Sequence, residues 1–92
     1  MIRDLPQVIQ VSVLPDFTLA LRFSNGDRGM LRLPNHLSFV GYFAPLANAH
    51  FFGQVYIDHG TLCWPHAIDL DPVVLHAWAM GIPIELASRV PA

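Results

Sequence analysis

The 92 residues are 53% hydrophobic and only 13% charged, with five arginines, no lysine, seven acids and a formal net charge of −2. A chain this short forms one domain with little room for both a core and a deep cleft, which argues against a large multi-part active site. The slightly acidic balance offers nucleic acid or an anionic membrane no electrostatic driving force, and a charged fraction about half the usual 25% predicts apolar surface covered by another chain, as a homodimer or with a small protein partner.

One domain is expected over residues 1–92, with an ordered core over about 7–81 and a C-terminal tail over 82–92. No apolar run approaches the roughly 18 to 20 residues that span a bilayer, because prolines, glycines and charges interrupt every stretch. Cys63 is the single cysteine and has no intramolecular disulfide partner. The opening MIRDLPQ lacks the apolar segment of a secretory signal, so the cytoplasm is the expected compartment.

Ile9, Val11 and Val13 alternate with Gln10 and Ser12, as a half-buried strand over Gln7 to Val13 requires, and are expected to form its inward row. After a turn at Leu14-Pro15-Asp16, a second strand places Phe17, Leu19, Leu21 and Phe23 on one apolar face. Asn25-Gly26 predicts a hairpin turn with positive φ at both central positions, returning a third strand over about Arg28 to Leu33. Leu31 and Leu33 then point inward. Arg22, Arg28 and Arg32 share the outer face, as a solvated sheet surface or a receiver for an anion or a partner's carboxylates.

Between Pro34 and Leu46, apolar residues crowd around Gly41 and Pro45, which predicts short helical turns capping the sheet, with another turn over Asn48 to Phe52. Phe39, Tyr42, Phe43, Phe51 and Phe52 form an aromatic cluster and are the candidate interface. Gln54 to Asp58 and Thr61 to Trp64 flank His59-Gly60 as a second hairpin. Asp71 as N-cap, Pro72 at the first position and Gly81 at the end bound a final helix. Its Leu75, Trp78 and Ala79 make an apolar stripe, with His76 and Met80 assigned to another face. The expected fold is α+β: a two-layer domain whose mostly antiparallel sheet of about five strands carries short helices on one face.

The densest polar grouping is His59, Cys63, His66, Asp69 and Asp71, residue types that zinc accepts. The spacing contains no paired Cys-x-x-Cys or His-x-x-x-His, so surface histidines and a buried strand cysteine are the better reading, with no metal and no cofactor expected. Cys63 has no nearby cation or helix N-terminus to activate it and is read as a small hydrophobe. Asp71 is accounted for as a cap, and Asp69 as a brace of the same loop. Phosphate-binding loops, serine elbows and zinc-protease helices are absent, and no enzymatic activity is expected. The alternative is a small-ligand, metal-binding or catalytic site around His59, His66 and Asp69.

The run Val11-x-x-Leu14-Pro15-Asp16-x-x-Leu19-x-Leu21-x-Phe23-Ser24-x-Gly26, then Gly41-x-Phe43-x-Pro45-Leu46, Phe52, and Trp64-Pro65-x-x-x-Asp69-Leu70-x-Pro72-x-x-Leu75, resembles the small bacterial domain-of-unknown-function family 2442. The resemblance covers about residues 7 to 78, and Trp64, Pro65, His66, Asp69 and Asp71 are its candidate motif or ligand positions. It implies a small α+β fold, an antiparallel sheet and no established catalytic residues. Members often sit beside a second small protein in toxin-antitoxin-like pairs, which implies regulation or partner binding. Some carry a C-terminal helix-turn-helix, for which residues 82–92 are too short, so DNA binding is not carried over. The position after Trp-Pro, commonly asparagine in the family, is His66 here, which argues against a shared metal or catalytic role at that spot.

Overall fold

A computed structural model of the chain describes residues 6–81; the tail expected over 82–92 lies outside the described residues. The architecture is α+β, with two three-stranded antiparallel sheets in place of the expected single sheet of about five strands. The first is a meander of β1 (Val8–Leu14), β2 (Thr18–Phe23) and β3 (Arg28–Arg32), in the order β1-β2-β3. β2 alternates as predicted at Leu19, Leu21 and Phe23, which are buried while Arg22 faces solvent, but Phe17, expected on the same row, falls in the preceding turn with a left-handed φ of 56°.

β1 departs from the expected alternation. Val8 pairs with Phe23 and Gln10 with Arg22, which leaves Ile9 as the extra residue of a β-bulge. The bulge changes the phase of the strand, so that Val8 is buried while Ile9 is 54% exposed. Val13 shares a face with its partner Leu19 but is 44% exposed, because β1 is the sheet's edge and the core ends beneath Leu19.

The β2–β3 hairpin forms where Asn25-Gly26 predicts it, with a different turn. The Gly26 N–H donates to the Phe23 carbonyl and the Phe23 N–H to that of Asp27. Only Gly26 takes positive φ, at 95°, so a type I turn followed by one left-handed residue replaces the type I′ turn. Asn25 stays right of that region because its side chain braces the loop, accepting from the Asp27 N–H at 3.0 Å.

The second sheet joins β4 (Tyr56–Asp58), β5 (Thr61–Trp64) and β6 (Ile68–Asp69) in that order. His59 and Gly60, at φ 53° and 77°, make the tight turn between β4 and β5. β6 raises the strand count to six. It is two residues long and so has no periodicity to betray it. The two sheets meet where the Val8 N–H donates to the Gly60 carbonyl at 2.8 Å, and their inner faces share one core that includes Phe23, Leu19, Leu62, Trp64 and Ile68.

Short helical turns over Leu33–Asn35 and Gly41–Ala47 and the helix α1 (Ala49–Phe52) fill the middle of the chain. Asn48 caps α1 by accepting from the Phe51 N–H at 2.9 Å. α2 (Pro72–Met80) begins and ends as its sequence dictates: Asp71 accepts from the Val73 N–H at 2.8 Å, and Gly81 turns left-handed at φ 73°. Leu75 is fully buried, and Trp78 and Ala79 pack beside it. The end of α2 lies so close to β3 that only a glycine fits there, Gly29, whose Cβ would stand 2.5 Å from the Ala79 carbonyl oxygen.

Candidate functional site

The Trp-Pro corner is built from the inside outward. Trp64 is fully buried, and its indole N–H donates to the Phe52 carbonyl at 2.8 Å, tying β5 to the end of α1. Pro65, His66 and Ala67 then close the loop to β6, with His66 and Ala67 both left-handed at φ 71° and 62°. Two successive non-glycine residues in this backbone region are uncommon and fix the sharp bend of the corner. The His66 ring lies parallel to Phe51 at 5.9 Å, and the Tyr42 hydroxyl donates to the Ala67 carbonyl. Asp69 is exposed beside Cys63 on β5, and Asp71 is the α2 cap. Trp64, Pro65, His66 and Asp71 therefore serve this corner and the helix start.

The polar grouping does not assemble. His59 sits in the β4–β5 turn, 89% exposed and 3.1 Å from Asp58, at the opposite end of β5 from His66. Four strand residues separate the two turns, roughly 13 Å of rise. Among the described residues no three histidine, cysteine, aspartate or glutamate side chains come together as a metal site. The Cys63 thiol is pushed up from its ordinary pKa by burial first, then by the carboxylates of Asp58 and Asp69. Its environment opposes the thiolate that nucleophilic chemistry needs.

The three outer-face arginines are divided as well. Arg32 forks onto Asp16, with Nε 2.9 Å from Oδ2 and Nη2 3.2 Å from Oδ1, and reaches the Asn35 side chain at 2.9 Å. That pairing holds the Asp16 carboxyl below the usual range, through the hydrogen bond first and the charge second. Arg22 leans toward Gln10 at 3.3 Å and stands directly across the strands from Arg28. These two flank an open groove of about 310 Å3 floored by Ser12 and Ala20.

The aromatic candidates separate by burial. Phe52 is 2% exposed and belongs to the core, so it is not available to an interface. Phe39, Phe43 and Phe51 are half-buried against that core, with Phe17 edge-on to both Phe39 and Phe52. Tyr42 alone of the five is largely open, at 55%. Connection aromatics and surface aromatics look alike in composition, and only packing tells them apart.

One pair escaped the sequence reading. His76, on a face apart from the Leu75 and Trp78 stripe, packs its ring edge-on against Phe23 at 4.9 Å and sets Nε2 2.7 Å from Asp27 Oδ2. The same carboxylate oxygen accepts from the Asn25 amide at 2.9 Å, and these two hydrogen bonds, His76 first, hold Asp27 below the usual carboxylate range. The pair straps the β2–β3 hairpin to α2. A signal existed, since Pro72–Met80 carries no polar residue but His76, and a lone polar side chain in an apolar helix needs a partner.

No curated protein and no solved structure matches the chain. The Trp64-Pro65 corner, the Asp71-capped helix and the paired meanders all lie within the one stretch that a family model does match, residues 8–81, and the chain belongs to that family, the protein of unknown function DUF2442.

Proposed function

We propose that this chain is a non-enzymatic protein-interaction module with a regulatory role, working as a homodimer or beside a second small protein in an antitoxin-like pair. The observation that carries the reading is exposed apolar surface in a chain with few charges. Val40 is 67% exposed, Met30 63%, Tyr42 55% and Ile9 54%, in a chain whose charged content is 13%. Single exposed hydrophobic residues are ordinary, but here few charged side chains are available to surround them. The family resemblance, with its paired small proteins, supports the same reading. The separation of His59 from His66, and the raised Cys63 thiol, weigh against a ligand-binding or catalytic site. Native mass spectrometry of the chain isolated gently from its own cells tests the proposal. A stoichiometric second subunit, identical or different, is the expected result; a bare monomer at cellular concentration would refute it.

A further inference from the structure

We propose that two copies of this chain join edge to edge through β1, antiparallel, across a two-fold axis at Val11. The inference rests on the interaction reading above and commits it to one partner, a second copy. The two edges of the first sheet are guarded unequally. β3 carries Arg28 and Arg32, charged side chains of the kind that keep a strand edge from pairing with another chain. β1 reads VIQVSVL, seven residues without a charge, a proline or a glycine. On the side away from β2 its backbone bonds only at the start, where Gly60 accepts from Val8 and the β4–β5 hairpin comes close; no other described residue hydrogen-bonds to that side. Such an edge is a template for another strand.

The strand is also self-complementary in one register. With Val11 opposite its own copy, Ile9 faces Val13 and Gln10 faces Ser12, so apolar pairs with apolar and polar with polar, while Val8, beyond the bulge and bonded to Gly60, lies outside the joint. Shifting the axis by half a residue sets Val11 against Gln10 or Ser12, and centring it on Ser12 sets Gln10 against Leu14; side-chain alternation penalises both. The favoured register covers Ile9 and Val13, two of the large hydrophobic side chains that the single chain leaves exposed. From Gln10 to Leu14 the strand keeps unbroken register with β2, and the bulge is confined to its beginning. Charge does not oppose the joint. The two copies of Arg22 would stand three strand spacings apart, roughly 14 Å, beyond the screening length at physiological salt.

Sedimentation equilibrium of the full chain and of Val13→Lys tests this. Val13 is already 44% exposed, so lysine is compatible with the fold, and the two-fold places each substitution in the joint twice. The wild type is expected to be a dimer and Val13→Lys a folded monomer, with self-association about a hundredfold weaker. Gln10→Cys mixed with Ser12→Cys, both in a Cys63→Ser background, is expected to cross-link faster than either alone, which tests the register without a destabilising charge. A folded Val13→Lys that remains dimeric, or cross-linking no faster in the mixture, overturns the β1 joint while leaving the interaction reading in place. A wild-type monomer also overturns the joint; the interaction reading then stands or falls on whether native mass spectrometry shows a different subunit.

Discussion

Two glycine-to-alanine changes in this chain are expected to act with opposite sign. At Gly29, on β3 opposite Leu21, a Cβ would lie 2.5 Å from the Ala79 carbonyl oxygen, 3.0 Å from its carbon and 2.7 Å from the Met80 Cε. The methionine methyl can swing aside; the carbonyl is backbone and moves only with the helix. Restoring an ordinary carbon–oxygen contact of about 3.4 Å requires the last turn of α2 to retreat by roughly 1 Å, which loosens Trp78 and Ala79 on the core. Overpacking of this kind costs about 1–3 kcal/mol, against about 0.4–1 kcal/mol gained by stiffening the unfolded chain. At Gly53, φ is −70° and the nearest contacts of a new Cβ are ordinary, at 3.5 and 3.6 Å, so only the gain remains. With about 4–8 °C per kcal/mol for a domain of this size, Gly29→Ala should melt several degrees below the wild type and Gly53→Ala a few degrees above it. Thermal denaturation followed by circular dichroism reads both. A Gly29→Ala protein as stable as Gly53→Ala would show that α2 does not bear on β3 as described.

Trp64→Phe removes the indole donor from the Phe52 carbonyl and leaves space in the core; a loss of about 2–3 kcal/mol in urea unfolding is expected. Ala67→Gly relieves a left-handed alanine at φ 62°, worth about 1–2 kcal/mol, against a smaller cost of added freedom in the unfolded chain, so the urea midpoint should rise modestly. Asp27 and Asp16 are held below the ordinary carboxylate range by His76 with Asn25, and by Arg32. A carboxyl depressed on folding adds stability above its unfolded pKa and loses it as pH falls through the folded one. The urea midpoint should therefore drop below about pH 4, with a shallower acid limb in Asp27→Asn; an unchanged limb would show that the Asp27 contacts do not form in solution.

Features announced by local chemistry were legible. Leu19, Leu21 and Phe23 alternate because β2 is the middle strand with one wet face; His59-Gly60 makes its turn from adjacent residues; Asp71, Pro72 and Gly81 bound α2 through contacts within a few positions. What was hidden depends on residues far apart or on a break in period. The bulge at Ile9 reverses the phase that a regular strand would keep. The grouping of strands into two sheets follows from packing around Trp64 and Phe23, which no strand's own pattern contains. Asp27 and His76 meet across 49 positions. Of the candidate site, the Trp64-Pro65 corner was recognised by its residues, but its reason, two left-handed positions and a buried indole bond, is visible only in the fold.

Because every strand pairs with its neighbour in sequence, each meander closes on short turns, with little chain entropy lost before contacts form. Among the described residues, the first meander is tied to the later elements by the shared core, by the Val8 bond to Gly60, by the Asp27 contact with His76 and by the seat of α2 on β3. Strand pairing within each meander is therefore local, while burial of the apolar faces waits on the two meanders and α2 coming together around one core. In hydrogen exchange, amides of β2, paired on both sides, are expected to outlast those of α2.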